Sequence, residues 1–158
     1  MQKPTKLSPP IPAIGEGKRG VEGHIGYLLR QAHSAHRIGM EKALAETGMT
    51  LPQFSVLTML AAYPGASGAT LARLSLLTPQ TMSVIVANLE KAGFISRRAH
   101  PTHGRIQEIE TTAEGRKLLA TCKAAVASAE AALLDNLTPA EEDVVRRWLV
   151  DVALRSGI

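Results

Sequence analysis

A mainly α chain with one small β wing is what this sequence predicts, on three observations. Most of the chain is written in runs whose apolar residues recur at helical spacing, several opened by Thr and closed by Gly or Pro-Gly. One stretch, Phe94 to Glu110, drops that period for alternation. Hydrophobic residues make up 45% of the chain but aromatics only 3%, so aliphatic and Ala packing must supply the core. The length of 158 residues suits one domain with helical extensions. A single cysteine, Cys122, excludes an intramolecular disulfide and fits a reducing cytoplasm. No run is long or apolar enough to span a membrane, and the N-terminus lacks the apolar core of a secretion signal. The net charge of +4 fits a polyanionic partner.

Residues 1–20 carry Pro4, Pro9, Pro10, Pro12 and three glycines without periodicity, and read as a flexible basic arm. Residues 21–48 hold the first helix, expected from Glu22 to Glu46 and closed by Gly48. Its candidates for burial are Ile25, Leu28, Leu29, Ala32, Ala35 and Ala43. His33, His36 and Arg37 cluster on it. They suit either an anionic ligand or a polar junction; no carboxylate or Cys at a helpful spacing completes a metal set, so no metal or cofactor is expected.

Thr50 and Gln53 have capping-box spacing at the start of the second helix, where Phe54, Leu57 and Ala61 form one apolar row beside Val56 and Leu60. Pro64-Gly65 ends it. Ala69 to Ser75 reads as a short third helix packed through Leu71, Ala72 and Leu74. Thr78 then caps a fourth, with Pro79 at its first position and Gly93 just past its end. Met82, Ile85, Val86 and Leu89 form its inner stripe. The outer face holds Gln80, Thr81, Ser83, Val84, Ala87, Asn88 and Lys91, small and rich in hydrogen-bonding groups. Such a face is either plain solvated surface or one that reads base edges in a DNA major groove.

The neighbours favour the second choice. Two helices joined by a tight turn make a helix-turn-helix. A β-hairpin follows directly: Phe94 to Arg98, a turn over Ala99 to Gly104, and a return strand from Arg105 to Glu110 with Ile106 and Ile109 as inward candidates. Arg97, Arg98, His100, His103 and Arg105 gather there with no acid between Glu90 and Glu108, as expected of a reader of phosphates or of the minor groove. Residues 49–112 are therefore expected to form a winged helix-turn-helix lobe.

Residues 113–158 are expected to hold dimerisation helices. Thr111 and Glu114 have capping-box spacing, and Leu118, Cys122, Ala125, Ala129 and Ala132 form a seam of small residues. Thr138 and Glu141 cap a last helix with the stripe Val145, Trp148, Leu149 and Val152. The lobe is too small to bury both stripes, which, with the first helix, points to a dimer.

In this order the elements resemble the MarR family of bacterial winged helix-turn-helix regulators. The matching stretches run from about Gly23 to Leu154. They are Met49 to Phe54, Leu71-Ala72, Leu77 to Ser83, Asn88 to Ile95 and Thr112 to Gly115. The resemblance implies a homodimeric DNA-binding transcriptional regulator, usually a repressor. It would bind a palindromic operator and be released by a small effector, commonly an aromatic or anionic one such as an aromatic carboxylate or its CoA thioester. On that resemblance Gln80, Thr81, Ser83, Val84 and Asn88 would face bases. Thr78, Arg73, Lys91, Arg97 and Arg98 would hold phosphates, Arg105 would enter the minor groove, and His33, His36 and Arg37 would meet the effector. Two departures stand out. The family's wing pattern Asp-x-Arg is His103-Gly104-Arg105 here, and arginines that many relatives carry on the readout helix are replaced by Val84 and Asn88.

Other classes find less support. Ser67, Ser75 and Ser83 lack a nucleophile setting and no Gly-rich phosphate loop follows a strand, so no enzyme is expected. A redox- or metal-responsive regulator of the same fold is the alternative. It is weakened by the place of Cys122 in an apolar seam. A pure protein–protein module would leave the basic wing without a role.

Overall fold

The computed structural model describes residues 10–99 and 107–157. Two compact units emerge, Met1–Arg37 and Ile38–Ile158. The helices are α1 (Ile25–Leu44), α2 (Leu51–Ala62), α3 (Gly68–Leu74), α4 (Pro79–Lys91), α5 (Ala113–Ala131) and α6 (Pro139–Ser156). Between α4 and α5 lie strands β1 (Ile95–Ala99) and β2 (Gln107–Thr111), paired antiparallel with Ile95 opposite Thr111 and Ala99 opposite Gln107. The mainly helical fold class with a small sheet is thus observed.

In the first unit, the described part of the expected arm, residues 10–20, holds ordered turns. A 3-10 turn forms at Gly17–Arg19; the Arg19 guanidinium donates to the Pro12 carbonyl at 2.7 Å, and the Gln31 amide donates to the Arg19 carbonyl at 3.1 Å. Glu22 and Gly23 are spent in this turn, so α1 starts at Ile25 rather than Glu22. Ile25, Leu29, Ala32 and Ala35 are exposed, contrary to expectation. Their spacing is correct for a helix stripe, but spacing does not say which surface covers it. The buried residues of α1 are Met40 and Leu44.

The core of the second unit is built from α2, α3, α4, α5 and the hairpin. Met40, Leu44, Val56, Leu57, Leu60, Leu71, Met82, Leu89, Ile109 and Cys122 are all at most 3% exposed. Thr50 and Gln53 make the expected capping box; Phe54 and Leu57 are buried, but Ala61 is exposed in the last turn of α2. Ser67, which the sequence did not single out as a cap, caps α3 by accepting from the Thr70 amide at 3.2 Å.

The α2–α3 loop pins the hairpin from its other side: Gly65 donates to Ile109 O at 3.1 Å, and Ile109 donates to Ala66 O at 3.2 Å. Because Thr111 closes β2 opposite Ile95, the cap of α5 moves on to Thr112. Its hydroxyl accepts from Gly115 N at 3.0 Å and donates to Gly93 O at 2.7 Å, so the expected Thr111–Glu114 box does not form. Gly115 sits so close to the Phe94 carbonyl that a Cβ there would collide with it.

On α5 the buried residues are Gly115, Leu119, Cys122 and Val126. Leu118, Ala125 and Ala129 are half-buried beside them and Ala132 is exposed, so the expected seam lies at the edge of the buried stripe. On α6 the Thr138–Glu141 box forms as expected, but no residue is buried. Val145, Trp148 and Leu149 stay about two-fifths exposed, at 39%, 40% and 44%.

Candidate nucleic-acid interface

Helix α4 is fixed from both ends and from one side. Thr78 accepts the Thr81 amide at 3.2 Å, Pro79 fills the first helical position, and Gly93 turns the chain with φ +78°. Met82, Ile85, Val86 and Leu89 are all buried, which seats the helix on α3 and the hairpin. Gln80, Thr81, Ser83, Val84, Ala87, Asn88 and Lys91 are left on the exposed face, as the spacing predicted.

The hydrogen bonds set what that face can offer. Thr78 and Thr81 share a hydroxyl–hydroxyl bond of 2.9 Å. Ser83 donates its proton back to Pro79 O at 2.9 Å, which leaves its oxygen to act outward as an acceptor. Gln80 and Asn88 are eight residues apart, on one side of the helix, with Val84 midway. The two amides carry donors and acceptors in the fork that pairs with an adenine edge, and a valine methyl can pack on a thymine methyl.

The arginines of β1 are less free than the sequence implied. Arg97 is ion-paired with Glu90 on α4, and Arg98 with Glu110 on β2. The hydrogen bond from Arg97 holds the Glu90 carboxyl below its ordinary range, and Glu90 in turn raises Arg97. Arg98 is raised by its hydrogen bond to Glu110. Both pairs are exposed, so each contributes little and can be exchanged for a phosphate at small cost. Arg73 and Lys91 are exposed on the same lobe. Arg105, His100, His103 and Ile106 lie outside the described residues.

A feature the sequence did not reveal is an open groove of about 550 Å³ between α3, α4 and the hairpin. Ser67, Met82, Ser83, Arg97 and Gln107 contribute to its walls. Its lining comes from separate elements, so no local pattern announces it. In the other unit, His33 and Arg37 are exposed and His36 is half-buried on α1. Among the described residues no group of three His, Cys, Asp or Glu could hold a metal ion, and the Cys122 thiol is fully buried. No helix of the described chain is long and apolar enough to cross a membrane.

A model of the MarR family matches residues 47–106, a span that opens just before α2 and ends ahead of β2. The HTH-type transcriptional repressor Rv2887 of Mycobacterium tuberculosis H37Rv is 38% identical over 125 residues, covering 79% of this chain and 90% of that protein. Its structure in complex with salicylic acid superposes with a TM-score of 0.66 at 37% identity, over 82% of this chain and 96% of the other. The repressor CouR bound to a 23-mer DNA duplex gives a TM-score of 0.75 at 27% identity, covering 82% of this chain and 92% of that one. CouR from Rhodococcus jostii RHA1 bound to p-coumaroyl-CoA gives 0.77 at 27%, covering 84% and 93%.

Proposed function

The chain belongs to the MarR family of transcriptional regulators, and from that premise we propose that it is a cytoplasmic, homodimeric repressor of a palindromic operator, released by a small anionic effector. The observation that carries the DNA contact is α4: one face is buried in the lobe and the other is exposed, charged only at Lys91 and rich in amide and hydroxyl groups. Gln80, Thr81, Ser83, Val84 and Asn88 read bases. Thr78 and the start of α4, with Arg73, Lys91, Arg97 and Arg98, hold phosphates, where a helix N-terminus favours anions. Arg105 enters the minor groove. The chain is divided by role into an arm (1–20), a dimerising first helix (21–48), the DNA-binding lobe (49–112) and dimerising C-terminal helices (113–158). No catalytic step is assigned to any residue.

The effector is an aromatic carboxylate or its CoA thioester. Support comes from the salicylic acid and p-coumaroyl-CoA complexes of relatives and from the grouping of His33, His36 and Arg37 on α1. Release requires the ligand to prefer a spacing of the two readout helices that does not fit the duplex, because a ligand with equal affinity for both states shifts nothing.

The test is fluorescence anisotropy with the duplex upstream of the chain's own coding region, titrated with salicylate and, separately, with p-coumaroyl-CoA. Binding at low salt that salicylate reverses is the expected result. No binding at low salt sinks the regulator reading; binding that salicylate and p-coumaroyl-CoA both leave intact sinks the effector class alone.

A further inference from the structure

Leu76, in the turn between α3 and α4, has a left-handed backbone with φ +53° and is the only non-glycine described residue with positive φ. Its side chain is nevertheless 76% exposed. The backbone explains the angle. Leu77 N donates to Ala72 O at 2.9 Å and Leu76 N donates to Arg73 O at 3.2 Å, the paired bonds that close a helix with a left-handed residue just past its cap. Glycine ordinarily fills that place because a Cβ crowds the next carbonyl. Leucine therefore accepts strain here and gains no burial within the described chain. A strained residue of that kind points to a gain made outside the chain.

Where Leu76 stands identifies the partner. Thr78, the cap of α4, is two residues on, so Leu76 lies within about 7 Å of it along the backbone. If the N-terminus of α4 meets a DNA phosphate, an aliphatic side chain beside it has no charge or hydrogen-bonding group to offer the phosphate, and the part of the strand it can pack on is a neighbouring deoxyribose. We propose that Leu76 packs against that sugar and anchors the start of the readout helix on the DNA strand; this rests on the DNA-binding reading above. Such a contact carries no sequence information and no charge. It adds affinity equally on every sequence and leaves the salt dependence unchanged, unlike a Lys or Arg contact.

Leu76→Asn and Leu76→Gly remove the apolar group while keeping residues that accept the left-handed angle; Leu76→Met keeps an apolar group. Anisotropy would be measured over several salt concentrations, on the upstream duplex and on a scrambled duplex of equal length. The Asn and Gly variants are expected to bind both about fivefold more weakly with an unchanged salt slope, and Met to bind as the parent does. The melting temperature of the Gly and Asn variants should hold or rise by about 2–4 °C. Parental affinity in both Asn and Gly variants overturns the contact, as does a loss accompanied by a lower melting temperature. A loss confined to one duplex overturns the sugar as its target. A parent protein that binds neither duplex at low salt overturns the DNA reading and this contact together; a parent that binds while the Asn and Gly variants both match it overturns the contact alone.

Discussion

Val84 is 61% exposed halfway along α4, while the other large apolar side chains of that helix are buried. An exposed valine gains little from water and suits a partner with a methyl group. With Gln80 one turn before it and Asn88 one turn after, the proposed base contacts predict half-sites rich in A·T pairs. Gln80→Ala and Asn88→Ala should each cost about 1–3 kcal/mol on one particular base pair and leave the others unchanged. Competition with duplexes substituted one pair at a time would show this, and selection of G-rich half-sites would contradict it. Gly115 makes a purely structural claim at the same scale. Gly115→Ala should destabilise the lobe by about 2–3 kcal/mol in urea unfolding, because the added methyl meets the Phe94 carbonyl backbone rather than a yielding side chain.

At the scale of the element, two carboxylates tie helix ends. Glu141 accepts from Thr138 at the start of α6, and Glu90 holds Arg97, joining the last turn of α4 to β1. Both carboxyls lie below their ordinary value of 4.5, Glu141 through its Thr138 hydrogen bonds and Glu90 through Arg97. A depressed carboxyl stabilises the fold above its unfolded value, and that contribution is lost as the pH falls through the lowered folded value. The melting temperature of the parent should therefore fall more steeply below about pH 4.5 than that of an E90Q/E141Q variant, and the two curves should converge in acid. Parallel curves would show that neither tie matters. The same ties separate what was legible from what was not. The Thr50, Thr78 and Thr138 caps and the inner stripe of α4 could be read because each lies within a few residues of its partner. Helix α5 begins at Ala113 as expected, but its cap is Thr112 rather than Thr111, because the long-range pairing of Thr111 with Ile95 decides it. The acids on Arg97 and Arg98 were also missed. Glu90 is seven residues from Arg97 across the Gly93 turn, and Glu110 lies on the other strand.

Across the molecule, large apolar side chains stay exposed on several helices among the described residues. Ile25 and Leu29 on α1, Leu133 after α5, and Val145, Trp148, Leu149 and Leu154 on α6 are all more than a third exposed. Surfaces of this kind mark interfaces, and a stable dimer buries on the order of 1,200–2,000 Å². Since Trp148 is not buried within one chain, Trp148→Glu should leave each lobe folded while opposing association. Sedimentation should then move from a dimer of 16.8 kDa chains to the single chain. DNA binding reports the same event independently. A dimer neutralising roughly six to ten phosphates gives a slope of log K against log salt of about −5 to −9, and a monomer making half those contacts should give about half the slope. Weaker binding with an undiminished slope would mean that all the phosphate contacts survive in one chain. In that case the exposed stripes of α1 and α6 serve something other than pairing two readout helices on one duplex.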